Sequence, residues 1–333
     1  MELEERAGDA AAVDAGRVDG QVYDAIVVGG GPAGLSGATV LGRFRRSVVV
    51  IDAGRLRNAA AAHSQGFFTR DGTSPGDLAA AGRAEAVSYG ATILDDTVTE
   101  VERVASGFLA HTASGRAVRG RRLLVTTGLV DDLKGLPGLA ERWGRDVLHC
   151  PFCHGWEVRD RPTVVVAGTA MDTHTALLLT QLTKDLTLLI GSSDMAWISG
   201  EEQEMLCAAG VDIVQDLVRE IVIEDDRVVG IRTGSGDLVA AEIVYSSPPM
   251  LAQDELLTGL GADIVTSDLG PVVDVDECGL TSLPHVWAAG NAVDPGAQVV
   301  HAASAGYRAA TQIVDSLVME DLAATVREAS QRG

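Results

Sequence analysis

The chain has 333 residues, with 26 Lys and Arg against 47 Asp and Glu, a formal net charge of −21. That balance excludes nucleic acid and anionic membrane surfaces as partners, because both are held by a basic face. Hydrophobic residues make up 46%, aromatics 4%, and 38 residues are Gly, so the chain is too apolar to be disordered and has the make-up of an α/β protein of two domains.

Residues 1–20 carry six acids and two bases, with no basic n-region and no apolar h-region. They are read as a flexible acidic leader that is not a secretory signal. No run of 18 apolar residues occurs, so no membrane span is expected and the expected location is cytoplasmic. The ordered part opens with Tyr23–Val28, a β-branched run that reads as a buried parallel strand. Gly29–Gly34 follows, then a helical stretch to about Arg46 with Leu35, Ala38 and Leu41 on one face, then the strand Val48–Asp52. Residues 99–125 break into short runs at Ser106-Gly107 and Ser114-Gly115, the pattern of a β-meander.

The plan then repeats. Thr163–Ala167 is a second buried strand, a helix is expected from about Thr173 to Lys184, and Leu186–Ile190 is the next strand. A second meander occupies about Arg219–Val244. The tail holds a strand ending at Ala288-Ala289-Gly290-Asn291 and an Ala-rich helix from about Ala302 to Met319, with no fingerprint of its own. The economical reading has two dinucleotide-binding domains of common design, the second inserted in the first. The expected division is residues 21–135 with 249–325 for the first domain and 136–248 for the insert.

The first fingerprint is complete. Gly29, Gly31 and Gly34 fill G-x-G-x-x-G between a strand and a helix. The first glycine allows the tight turn, the second lets backbone approach a pyrophosphate, and the third lets helix pack on strand. The helix N-terminus attracts phosphate, and Asp52 at the end of the next strand is placed for ribose hydroxyls. The second fingerprint has kept only its first glycine, in Gly168-Thr169-Ala170-Met171-Asp172. Ala170 puts a Cβ where pyrophosphate would approach, and Asp172 puts a negative charge there. After Ile190 the run Gly191-Ser192-Ser193-Asp194 has no base for a 2′-phosphate. The insert is therefore expected to keep the fold while binding NADP(H) poorly or not at all.

Four cysteines do not make a disulfide scaffold in a chain of this length. Cys150 and Cys153 stand as C-x-x-C in Cys150-Pro151-Phe152-Cys153-His154-Gly155-Trp156-Glu157. At that spacing two thiols close a small disulfide ring and exchange with an incoming thiol. His154 is placed to move a proton near neutral pH. Pro151 suits a first helical turn, which would put the pair at a helix N-terminus that favours thiolate. A structural zinc needs a second Cys pair, and Cys207 and Cys278 stand apart, so no metal is expected and both read as small buried hydrophobes.

These pieces resemble the low-molecular-weight thioredoxin reductase family over nearly the whole chain after the leader. The likeness rests on Val27–Gly34, on Thr126-Thr127-Gly128, on the C-x-x-C opening the insert and on Ala288–Asn291. It implies FAD in the first domain, held by Gly29, Gly31, Pro32, Ala33, Gly34, Asp52, Val98, Thr127, Gly128, Gly290, Asn291, Gln298 and Val299. It also implies that Cys153 faces the flavin, that Cys150 exchanges with substrate, and that His154 takes the place of the family's proton-donating acid. His301 stands where the family has a small residue, either reaching the site or simply starting a helix. The run C-P-F-C-H-G-W-E, with Arg57, Asn58 and the segment His63–Gly72, is similar to the dithiol oxidases of the gliotoxin and holomycin type. Arg57, Asn58 and His63 join the cofactor set on that likeness. The expectation is an FAD-dependent homodimer that oxidises a small natural-product dithiol and passes the electrons to molecular oxygen, giving hydrogen peroxide. The competing readings are a disulfide reductase fed by NADPH or another donor, and a flavin-binding redox sensor.

Overall fold

The computed structural model describes residues 20–191 and 197–332. The leader up to residue 19 and the segment Ser192–Asp194 lie outside them. By internal contacts the chain forms two units. The first holds the chain up to Arg57, Gly76–Val130 and everything from Leu251, and the second holds Asn58–Pro75 and Asp131–Met250. The expected division placed 58–75 with the first domain, and contacts place it with the second. The unit boundaries fall inside two short strands, β7 (Leu129–Asp131) and β16 (Met250–Ala252), which pair with each other. The expected division put these boundaries at 135/136 and 248/249 instead.

The first unit is built on β1 (Val22–Val28), α1 (Pro32–Arg43), β2 (Val48–Asp52), α2 (Pro75–Ser88), β3 (Thr92–Asp95), β4 (Val98–Val104), β5 (Gly107–Thr112) and β6 (Ala117–Val125). These strands lie in the order β3-β2-β1-β6-β5-β4, with β1, β2, β3 and β6 parallel and β4-β5-β6 an antiparallel meander. β6 pairs with β1 along one edge and with two partners along the other: Ala117–Gly120 pair with β5, and Leu123–Val125 pair with β19 (Val286–Ala288), which returns from the far end of the chain. β1 and β2 are buried almost throughout, as strands covered on both faces must be, which is why they read as unbroken Val/Ile runs.

The tail helix, Val299–Arg332, is 34 residues long, well beyond the expected 302–319. Its first half packs backbone to backbone on α1. A Cβ at Gly306 would collide with the Ala33 carbonyl, and one at Gly37 would stand 2.8 Å from Leu124 Cδ2. Its second half shows little apolar periodicity and is held by charge instead. Arg121 and Arg46 each reach Asp321 at 2.6 Å, and the buried Arg122 pairs with Glu320.

The second unit holds α3 (Leu139–Arg142), β8 (Val147–Leu148), α4 (Pro151–His154), β9 (Thr163–Ala167), α5 (Ala170–Leu179), β10 (Leu186–Ile190), α6 (Gly200–Ala208), β11 (Asp212–Gln215), β12 (Val218–Glu224), β13 (Arg227–Thr233), β14 (Leu238–Ala240) and β15 (Ile243–Tyr245). Its parallel sheet runs β11-β10-β9-β15-β8, and β12-β13-β14 form a separate antiparallel meander. Helix α5 starts at Ala170 rather than Thr173, because Thr169 and Asp172 form a capping box that opens the helix earlier. The remaining first-unit elements are α7 (Glu255–Gly259), the hairpin β17 (Ile264–Ser267) with β18 (Gly270–Val273), and the tail helix, α8. Among the described residues no helix is long and apolar enough to cross a membrane.

The Gly306 contact sets a test. Gly306→Ala forces α1 and α8 apart, and overpacking of this kind costs about 1–3 kcal/mol. A melting temperature lower by roughly 2–12 °C is expected at this size. An unchanged melting curve would contradict the close backbone approach.

Candidate active site and cofactor cradle

The cradle of the first unit is built at the β1–α1 turn. Gly29 has φ +104, a conformation that favours glycine, and a Cβ there would meet the Thr126 carbonyl. A Cβ at Gly34 would collide with the Gly29 carbonyl and stand 2.7 Å from Thr126 Oγ1. That hydroxyl in turn donates to the carbonyls of Val28 and Gly29, both at 2.9 Å, and so locks the turn. A Cβ at Gly31 would meet nothing within 4 Å, and no side chain caps α1, which has Pro32 in its first turn. Open space before an uncapped helix N-terminus is what a pyrophosphate needs. These residues fit a dinucleotide such as FAD.

Two participants had no clear sequence signal. Gly30 donates its N–H to Asp52 Oδ1 at 3.1 Å, and a Cβ there would overlap the carboxylate. Arg83 donates to Asp52 Oδ2 at 2.9 Å, so Asp52 is already charge-paired while keeping acceptor capacity. Only an acid could be read from the sequence; an Arg on a helix 31 residues away could not.

The other cofactor candidates divide. Gly128 has φ +74 with open space around it, and Thr127 Oγ1 donates to the Gln253 carbonyl at 2.5 Å, bracing the chain beside it. Gly290 has φ +73 and lies against Ala33. Asn291 donates to the carbonyls of Asp294, Pro295 and Ala297 and accepts from Arg57 at 3.4 Å, so it pins its own loop. Val299 begins α8 with Gln298 just before it, and His301 Nδ1 accepts from the Gln298 N–H at 3.4 Å, the role of a helix-start histidine. Val98 opens β4 opposite Thr112 and packs on the core. Asn58 and His63 belong to the second unit, where Asn58 donates to Ser64 Oγ at 3.2 Å and His63 is exposed.

In the second unit, β8 delivers the chain to Cys150, which caps α4 in an extended conformation with Pro151 in the first turn. The Cys150 and Cys153 sulfurs face each other at 2.6 Å. One turn of helix sums little dipole, and the N–H groups of Cys153 and His154 donate to the Cys150 carbonyl at 3.2 and 3.3 Å. Thiolate stabilisation by a helix N-terminus, expected from Pro151, is therefore weak here. Both ring nitrogens of His154 are buried without a partner among the described residues. Burial lowers its pKa, against an opposing pull from Glu157, which favours the neutral ring. Phe152 and Trp156 flank the pair and are exposed, with the Arg159 guanidinium 3.9 Å above the Trp156 ring. The remaining cysteines are not core residues as expected: Cys207 is exposed on α6, which buries only Leu206, and Cys278 is half-buried in a turn closed by Asp276.

The degraded fingerprint of this unit is filled from within. Asp172 is 4% exposed, and its Oδ2 accepts from the Gly168 N–H at 3.0 Å and from the Thr169 N–H and hydroxyl, both at 2.9 Å. A carboxylate of the chain thus takes the N–H groups that a phosphate would use.

A family model described as pyridine nucleotide-disulphide oxidoreductase matches residues 23–306, and the chain belongs to that family. It is an oxidoreductase with a thioredoxin reductase-like fold, and the family's flavoproteins use FAD. Among solved structures it is similar to HlmI, at 41% identity and a TM-score of 0.86, covering 93% of this chain and 97% of that one. An oxidoreductase from Agrobacterium tumefaciens matches at 29% identity with a TM-score of 0.82, over 90% of this chain and 99% of that one. Thioredoxin reductase tcpT of Claviceps purpurea is 29% identical over 90% of this chain and 96% of its own length. A probable thioredoxin reductase of Arthroderma benhamiae is 34% identical over 52% of this chain, and that match spans 44% of the relative's length.

The depressed His154 pKa has a pH consequence. Below about pH 6.5 the unfolded chain binds a proton that folded His154 resists, so stability falls as the pH drops, while above 6.5 the group contributes no penalty. Relative to a His154→Phe variant, the native chain is expected to lose melting temperature between pH 7 and 5. Parallel pH profiles for the two would contradict a buried neutral imidazole.

Proposed function

We propose that this protein is an FAD-dependent dithiol oxidase that closes a disulfide within a small organic dithiol, with oxygen as final acceptor. The observation that carries the reading is Asp172. Its carboxylate takes the Gly168 and Thr169 N–H groups of the second unit's turn, and Ala170 stands where the fingerprint has a glycine, which supports a route that bypasses NADPH, while a Cβ at Gly31 of the first unit would meet nothing. The likeness to HlmI supports the same branch. The exposed Phe152 and Trp156 beside the Cys pair suit an apolar small molecule.

The chain's own residues then act as follows. A substrate thiolate attacks the Cys150 sulfur, the Cys150–Cys153 bond breaks, and Cys153 leaves as a thiolate. His154 takes the proton of the second substrate thiol, which attacks the mixed disulfide and departs as the cyclic disulfide, leaving both cysteines reduced. Bound FAD would supply the two-electron chemistry that links the reduced cysteine pair to oxygen, so that one dithiol and one O2 would become one disulfide and one hydrogen peroxide. The net charge of −21 suits a small neutral substrate. A homodimer in the cytoplasm is part of the proposal.

Anaerobic mixing separates this reading from a reductase. Dithiol is expected to bleach the flavin absorbance, air to restore it, and NADPH to leave it unchanged. Cys153→Ser should abolish the bleaching by dithiol, and His154→Asn should slow it by about 10²–10⁴-fold. Rapid bleaching by NADPH identifies a reductase, and bleaching by neither reagent identifies a redox sensor; either result overturns the oxidase.

A further inference from the structure

The second unit buries one more polar group beside the cysteines. Tyr245 is 1% exposed, and its hydroxyl has no hydrogen-bond partner among the described residues. A phenol kept dry and unpaired costs stability, so its hydroxyl calls for a role. Its place is specific. Tyr245 ends β15, directly opposite Leu148 of β8, and Leu148 is two residues before Cys150. It shares one core cluster with Leu148, Val158, Val165, Ala176 and Leu179, which bring no titratable group from β8, β9 or α5. The groups that act on it electrostatically are Cys150, Cys153 and Glu157, and burial together with their charges raises its pKa, so it remains a protonated donor at every working pH.

We propose that the Tyr245 hydroxyl is the hydrogen-bond donor that stabilises the thiolate formed when the Cys150–Cys153 pair opens. The inference rests on the reading of this pair as the redox centre, and it supplies what the one-turn helix α4 does not. In the step concerned, the disulfide takes two electrons from a thiol reductant and one proton from solvent, giving one thiol and one thiolate. Tyr245 donates a hydrogen bond to the thiolate and keeps its own proton. A donor that favours the reduced form makes the disulfide more oxidising, which suits a pair that must take electrons from a dithiol.

Tyr245→Phe deletes the hydroxyl and keeps the ring. The test uses the full chain loaded with FAD, equilibrated without oxygen in glutathione redox buffers, with the thiols counted by alkylation. The variant's equilibrium is expected to shift about tenfold toward the disulfide, which is about 30 mV more negative for a two-electron couple. The pH midpoint of alkylation should rise, and the melting temperature should stay level or increase, because an orphan hydroxyl has gone. Should the variant fold poorly, 3,5-difluorotyrosine at position 245, a stronger donor, is expected to shift the equilibrium the other way. An unchanged potential and alkylation profile in either folded variant would overturn the assignment. Neither readout uses oxygen or NADPH, so a failure of the oxidase reading leaves this test standing.

Discussion

A helix that starts at the end of a parallel strand leaves unsatisfied N–H groups pointing at one spot, and something negative must take them. The two units of this protein meet that demand in different ways. Before α1 the spot is open and lined by glycine. Before α5 it is taken by Asp172, which serves the helix as its capping acid and the turn as an internal anion. The same backbone plan is thus open at one turn and filled by a side chain at the other. The proposed direction of electron flow depends on that difference.

Close backbone packing enforces the open cradle. Gly34 against Gly29, Thr126 across the turn and Gly290 against Ala33 hold the loop where no larger residue fits. The long α8 is held at one end by the Gly306 contact with α1 and at the other by the Arg46, Arg121 and Arg122 network. Its length is a matter of charge more than of apolar pattern. In the second unit, near the cysteine pair, His154 and Tyr245 bury polar atoms with no partner among the described residues, and such atoms are costly unless chemistry uses them.

Much of this was legible in the sequence because parallel strands buried on both faces announce themselves, as Val22–Val28 and Thr163–Ala167 do. The strand–turn–helix register made Gly29, Gly31, Gly34 and Asp52 readable, and C-x-x-C made the redox pair readable. What escaped depended on contacts distant in sequence. Arg83 meets Asp52 from α2, an Ala-rich helix with almost no amphipathic pattern. Tyr245 looks like any aromatic on a strand until the β15–β8 register sets it beside the cysteines. The start of α5 was misplaced because Asp172 was weighed only as a charge against phosphate, when it is also half of a capping box. The segment 58–75 was misplaced because a loop's sequence does not say which unit it packs on.

In the proposed reaction electrons enter through a dithiol and never through a nicotinamide. Steady-state turnover tests it most directly: the FAD-loaded protein is given a small organic dithiol in air-saturated buffer without NADPH, while oxygen, peroxide and product are measured. The account predicts one O2 consumed and one peroxide and one cyclic disulfide formed per dithiol, with no change in rate on adding NADPH. Turnover that requires NADPH would contradict it.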